Sequence, residues 1–177
     1  HFMCTDVEYL APDHELDFLA FTISQEVSDG VSFIYMDQRE AVEALLADFD
    51  FADIPLKTSP MPSKELFLSD TTNAAAVYKH VTGSLNYFVR CTRYDIGYSV
   101  SRMSSKMGVP DKGAWKSMLH LLGYLRATLD FRIGCAYGAS RDEFQFFVDS
   151  DHCSDCAHTT RSQTGILIFL NGCPVEW

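Results

Sequence analysis

Residues able to do chemistry gather in two places in this 177-residue chain. Near its C-terminal end, DHCSDCAH (151–158) sets Cys153 and Cys156 at C-x-x-C spacing, with His152 and His158 beside them. Thiolates and imidazoles so spaced bind a tetrahedral zinc ion or act as a dithiol redox pair. Structural zinc sites usually draw their other ligands from a distant second knuckle, and adjacent Cys and His rarely both reach one ion, so a substituted loop fits the same residues. The second place is the basic middle. Residues 71–140 hold nine basic against three acidic side chains, between an acidic 1–70 (15 acidic, three basic) and an acidic 141–177 (six acidic, two basic). A basic helical segment suits a phosphate backbone, and Arg90, Arg93, Arg102, Lys106, Lys112, Lys116 and Arg126 are its candidate contacts; a solvated helix face is the alternative for each. The net charge of −10 argues against tight nucleic-acid binding by the chain as a whole.

The elements that must position these residues are legible from periodicity. DFLAFTIS (17–24) and VSFIYM (31–36) are β-rich, and Asp29-Gly30 between them signals a hairpin. Asp37 and Glu40 stand at capping-box spacing before Val42, Leu45, Leu46 and Phe49, which predicts a helix over 38–49 with Asp37 as its N-cap. Pro55, Pro60 and Pro62 mark 53–72 as a linker or extended strap, and an internal boundary there. Helical stripes follow in 73–89 (Val77, Tyr78, Val81, Leu85, Phe88), 94–107 (Ile96, Val100, Met103, Met107) and 111–128 (Trp115, Met118, Leu119, Leu122, Leu125), all read as helix–helix core. FRIGCAY (131–137), EFQFFVDS (143–150) and TGILIFL (164–170) read as strands, with Asn171-Gly172 turning into PVEW (174–177). Hairpin, helices, then meander make an α+β chain.

Apolar residues are 47% of the chain, a globular value. No apolar run reaches the ~18 residues of a membrane span, and the acidic start is no signal peptide, so an intracellular location is expected, in a cytoplasmic particle or the nucleus, with no membrane partner. Most of the six cysteines sit alone in apolar or helical contexts, the pattern of reduced thiols. A chain opening on His1 is expected to be a piece of a longer one.

The stretch TGSLNYFVRCTRYDIGYSVSRMSSKMGVPDKGAWKSMLHLLGYLRATLDF (82–131) resembles the part of copia-type LTR-retrotransposon Pol polyproteins that joins reverse transcriptase to RNase H. That family runs VGSLxYLxxCTRPDIAxAVxxLSRxMxxPxxxHWxAxKRxLRYLKGT. Gly83-Ser84-Leu85, Tyr87, Cys91-Thr92-Arg93, Asp95-Ile96, Ser104, Met107, Pro110, Trp115, Leu122, Tyr124-Leu125 and Thr128 stand in register with it. Upstream, DFLAFTIS is similar to the family's YFLGIxI strand. Downstream, FFVDSDHCSDCAHTTRSQTGILIFLNGCPVEW is similar to YSDADWAGDxxxRRSTSGYxFxLxGxPVSW. Departures include Tyr94 for the CTRP proline, Ala127 for the KGT glycine, Ala20 for the FLG glycine and His152 for the DADWAGD tryptophan.

The resemblance implies three parts: a C-terminal palm/thumb-like segment of reverse transcriptase (1–60), a helical thumb/connection segment (61–130) and a truncated RNase H-like domain (131–177) made of its first antiparallel strands. The polymerase needs an Asp pair on a Tyr-x-Asp-Asp hairpin to hold Mg²⁺. Tyr35-Met36-Asp37-Gln38 is no such pair, because its second position is an amide and Gln38 matches the family's helix-opening Gln. Asp149 falls at the first RNase H carboxylate, a Mg²⁺ ligand. Arg161, in the RSTSG-like stretch at a strand entrance, is a candidate phosphate contact, with pairing to a surface acid as the alternative. Mg²⁺ needs several fixed oxygens, so one carboxylate does not make the site. The expected partners are an RNA–DNA hybrid or template–primer and the remainder of Pol. The chain itself is expected to be inactive, and strands 143–150 and 164–170 to lack a cover for their apolar face. A non-enzymatic interaction or zinc-binding module derived from a retroelement is the rival reading.

Overall fold

The protein is described here by a computed structural model, which covers residues 8–12, 14–62, 75–138, 143–151 and 162–177. Strands β1 (Leu16–Phe18), β2 (Phe21–Ser28) and β3 (Val31–Asp37) come first, then helices α1 (Arg39–Asp48), α2 (Ala75–Cys91), α3 (Gly97–Ser104) and α4 (Lys112–Ala127), with a 3-10 turn at Tyr94–Ile96. Strands β4 (Ile133–Tyr137), β5 (Phe144–Asp151), β6 (Gln163–Leu170) and β7 (Cys173–Glu176) end the chain. The α+β character expected from the sequence is observed. Two compact units divide these elements: one holds Asp17–Thr22 and Met36–Arg132, the other Ile23–Tyr35 and Ile133–Trp177 together with the residues up to Leu16.

The unit holding Met36–Arg132 owns the helical core. Val42, Leu45 and Leu46 of α1, Tyr78, Val81, Leu85 and Phe88 of α2, Val100 and Met103 of α3, and Met118, Leu121, Leu122 and Leu125 of α4 are buried in one cluster. Each such side chain contributes about 1.5–3 kcal/mol by leaving water. The stripes predicted for α2 and α3 match, except that Val77 and Met107 are only partly buried. On α4 the phase differs: Leu121 is fully buried, while Trp115 and Leu119 pack at the edge. Leu119, Leu121, Leu122 and Leu125 spread over about half of the circumference of α4, so periodicity alone does not fix which of them points most directly inward.

Residues 53–62 form a strap on α4. The Lys57 N–H donates to the Gly123 carbonyl at 3.1 Å, Arg126 Nη1 donates to the Ile54 carbonyl at 2.8 Å, and His120 Nε2 lies 3.0 Å from the Ser59 carbonyl. Those contacts hold the proline-rich stretch inside the helical unit.

Two expectations at helix starts and cysteines are corrected. Helix α1 begins one residue later than the capping-box spacing implies, with Gln38 at the N-cap and no side-chain cap bond from it. Asp37 sits just outside, where its Oδ1 accepts the Arg39 N–H at 3.1 Å, and Glu40 makes no reciprocal cap. Burial decides this, since Gln38 is 3% exposed and is drawn into the core by a hydrogen bond, whereas Asp37 stays at the rim. The cysteines are not all separate thiols either. Cys135 and Cys173 are joined in a disulfide with Cα atoms 4.8 Å apart, while Cys91 is free. Strands far apart in sequence bring this pair together, which spacing along the chain does not reveal.

The sheets are ordered β1-β2-β3-β4 and β5-β6-β7. Both two-residue turns foreseen in the sequence form with positive φ at each position, Asp29 (52°) with Gly30 (78°) and Asn171 (52°) with Gly172 (78°). That is the mirror-image turn whose twist matches a right-handed hairpin. A third such turn was not foreseen. Leu19 (φ 50°) and Ala20 (φ 64°) break the expected strand 17–24 into β1 and β2. The Tyr87 hydroxyl donates to the Leu19 carbonyl and helps hold the turn. Left-handed backbone costs an L-residue about 1–2 kcal/mol, a penalty glycine escapes while losing some unfolded-state freedom. Ala20→Gly is therefore expected to raise stability by about 0.5–1 kcal/mol, read as a higher urea midpoint; an unchanged or lower midpoint would contradict the strain.

Candidate functional site

Strand β5 carries Asp149. It runs antiparallel to β6, with Asp149 opposite Gly165, Ser150 opposite Thr164 and Asp151 opposite Gln163. Alternation puts Gln145, Phe147, Asp149 and Asp151 on one face and Phe144, Phe146, Val148 and Ser150 on the other. The carboxylates of Asp149 and Asp151 thus share a face, and no side chain stands opposite Asp149 because its partner is glycine. Asp149 is exposed. Among the described residues no group of three or more His, Cys, Asp or Glu is placed to hold a metal ion. Two carboxylates two residues apart do not supply the fixed oxygens that a pair of Mg²⁺ ions needs, and no catalytic step through metal follows from them.

Large apolar side chains of β5 are exposed: Phe144, Phe146 and Val148 on the face away from Asp149 and Phe147 on the face that carries it are each more than half accessible, and Ile166 of β6 nearly half. Phe144 stacks on Phe146, and Phe147 meets Phe169 edge-on at 5.9 Å. His152, Cys153, Cys156, His158 and Arg161 lie outside the described residues.

The basic candidates separate into two groups. Arg90 of α2 and Lys112 and Lys116 of α4 are exposed, the two lysines one turn apart on the same helix face. Arg102 and Lys106 are half-buried at and beyond the end of α3, and Arg126 is committed through Nη1 to the strap.

Arg93 leaves the group. It is 2% exposed, and its Nε and Nη2 donate to the two carboxylate oxygens of Asp95 at 3.0 and 2.8 Å. The same guanidinium donates to the Thr128 carbonyl at 3.1 Å and to its hydroxyl at 2.7 Å, and lies 5.7 and 5.5 Å from the ring centroids of Tyr124 and Phe131. A guanidinium enclosed in this way presents no fork to a phosphate. Its burial is enforced by Asp95 beside it and by Tyr124, Thr128 and Phe131 from a distant stretch of chain, which residue type alone could not indicate.

The resulting network is the feature that residue-level reasoning missed. Tyr124 donates its hydroxyl to Asp95 Oδ2 at 2.9 Å, and the Thr128 hydroxyl bonds back to the Tyr124 carbonyl at 2.8 Å. Burial, with the Asp95 hydrogen bond and charge added, pushes the Tyr124 phenol up to about 12. Nearby, the Thr92 hydroxyl donates to Gln38 Oε1 at 2.8 Å, both residues being buried, and Gln38 Nε2 has no partner among the described residues. Thr92, Arg93, Asp95, Tyr124 and Thr128 all stand at motif positions, as does Gln38, so the signal lay in which polar residues the motifs keep. Much of the motif is polar scaffolding.

Comparison with known proteins agrees with the motif reading. The chain is 27% identical over 153 residues, 81% of its length, to the retrovirus-related Pol polyprotein from transposon TNT 1-94 of Nicotiana tabacum. It is 28% identical over 169 residues, 93% of its length, to the corresponding polyprotein from transposon RE1 of Arabidopsis thaliana, and 28% identical over 147 residues to that from transposon RE2 of the same plant. Over most of its length the chain is thus similar to retrovirus-related Pol polyproteins of plant transposons. It spans about a tenth of the length of these relatives. No family model matches it, and no solved structure does.

Proposed function

We propose that this chain is the stretch of a retrotransposon Pol polyprotein running from the end of reverse transcriptase, through a helical thumb/connection segment, into the first strands of an RNase H-like domain. In the whole polyprotein it helps grip an RNA–DNA hybrid and supplies one Mg²⁺-binding carboxylate, Asp149; alone it does not turn over. The observation that carries this reading is the placement of Asp149 on an exposed strand face beside Asp151, opposite a glycine, with no third ligand among the described residues. Arg90, Lys112 and Lys116 supply exposed positive charge on the helices, each worth a salt slope of about −0.9 if it neutralises one duplex phosphate.

The purified 177-residue chain is expected to bind an RNA–DNA hybrid with salt-dependent affinity and to leave its RNA strand uncut in Mg²⁺. Lys112→Gln with Lys116→Gln should weaken binding and flatten the salt dependence. Mg²⁺-dependent cutting that vanishes in Asp149→Asn would overturn the inactive reading. Hybrid affinity indifferent to both salt and the lysine changes would overturn the grip.

A further inference from the structure

The unit that holds Asp149 has almost no core of its own. Of its described residues only Ile133 is a buried hydrophobic, and no residue of β5, β6 or β7 is buried. A three-stranded sheet stabilised so weakly by apolar burial depends on whatever else ties it down. Among the described residues there is one covalent tie. Cys135 lies on β4, which pairs beside β3, and Cys173 opens β7, which pairs with β6. Their Cα separation of 4.8 Å lies inside the range that accommodates a disulfide without moving backbone. Their sequence separation of 38 residues means that the bond closes a loop containing the whole of β5 and β6. Both cysteines are half-buried rather than sealed, so a small thiol or disulfide can reach them.

We infer that Cys135 and Cys173 form a redox-sensitive clasp that fastens β7, and with it the sheet bearing Asp149, to β4. The oxidant is a low-molecular-weight disulfide such as glutathione disulfide. One cysteine thiolate attacks a sulfur of that disulfide and expels a small thiolate, leaving a mixed disulfide. The second cysteine thiolate then attacks the protein sulfur and expels the other. Two protein thiols are oxidised, one small disulfide is reduced to two thiols, and the two cysteine protons end on those thiols. Excess small thiol runs the exchange backward. Because a cross-link of this loop length constrains mainly the opened state, it acts on how often the sheet opens.

The test uses the full chain equilibrated in glutathione buffers from fully reducing to fully oxidising, with peptide mapping by mass spectrometry and hydrogen exchange followed in parallel. A version with Cys4, Cys91, Cys153 and Cys156 changed to serine removes competing pairs. The expected result is a Cys135–Cys173 linked peptide that appears on oxidation, together with exchange in β6 and β7 at least about tenfold slower than in the reduced chain. Exchange in α2 and α4 should stay constant. Cys135→Ser should give the fast rate at every poise, and should that variant fail to fold, addition of reductant to the unaltered chain reads the same difference. Absence of the linked peptide under full oxidation overturns the clasp, and so does a linked peptide whose formation leaves β6 and β7 exchange unchanged.

Discussion

Arg93→Ala is expected to cost the helical unit about 3–5 kcal/mol, because it strands the Asp95 carboxylate in a site built around a guanidinium. That is a large part of the 5–15 kcal/mol typical of a whole domain. Asp95 loses both of its Arg93 bonds and keeps only the Tyr124 hydroxyl, and the Thr128 carbonyl and hydroxyl lose a donor each. Arg93→Lys keeps the charge but not the fork, and should still cost about 1.5–3 kcal/mol. Every helix of the described residues lies in this unit, so urea unfolding followed by helical circular dichroism reads it directly. A loss below about 1 kcal/mol for Arg93→Ala would place Arg93 among ordinary surface pairs. Hybrid binding supplies the second readout. A folded Arg93→Lys chain should keep the salt slope of the unaltered protein, since Arg93 faces no phosphate.

The same network sets an alkaline limit. The Tyr124 phenol titrates near 12 in the folded chain, above its ordinary value of about 10. A group raised on folding contributes stability that is fully present below its unfolded pKa and is lost as pH climbs through its folded one. Stability should therefore fall between pH 10 and 12, and Tyr124→Phe should flatten that part of the profile.

How far the sequence discloses this molecule depends on whether a property is periodic or convergent. Helices α1 to α4 and strands β4 to β7 follow from repeating apolar positions, and two of the tight turns from Asp29-Gly30 and Asn171-Gly172, because each is decided within a few neighbouring residues. The turn at Leu19-Ala20 escaped for the opposite reason: neither residue favours left-handed backbone, and the turn is held by Tyr87 from a distant helix. Arg93 and Lys116 look equivalent as letters. One is enclosed by Asp95, Tyr124, Thr128 and Phe131, while the other stands exposed on α4, and only tertiary convergence separates them. The Cys135–Cys173 pair belongs to the same class of fact. For Asp149, strand and position within it were readable, because β5 is a local element, and its glycine neighbour across the sheet was not.

Gly123→Ala is the other large effect, and its sign is the informative part. In an unobstructed helix interior alanine is better than glycine by about 1 kcal/mol. Gly83 on α2 is such a position, with nothing within 4 Å of where a Cβ would stand, so Gly83→Ala should gain stability. Gly123 lies under the strap. A Cβ there would fall far inside van der Waals contact distance of the Pro55 carbonyl oxygen and 3.1 Å from Lys57 Cγ. A backbone carbonyl pinned on either side cannot swing aside as a side chain end would. The strap has to lift, which strains the Lys57–Gly123 hydrogen bond and the Arg126 bond to Ile54. Overpacking of this kind costs about 1–3 kcal/mol or more, enough to reverse the propensity gain. Urea midpoints should thus move in opposite directions for the two glycines. The displaced strap should also free the Arg126 guanidinium from the Ile54 carbonyl, so Gly123→Ala, although less stable, should bind an RNA–DNA hybrid with an equal or steeper salt dependence. A gain in stability at Gly123 matching that at Gly83 would mean that the strap yields without cost, and that the helix tolerates a side chain where its closest neighbour is backbone.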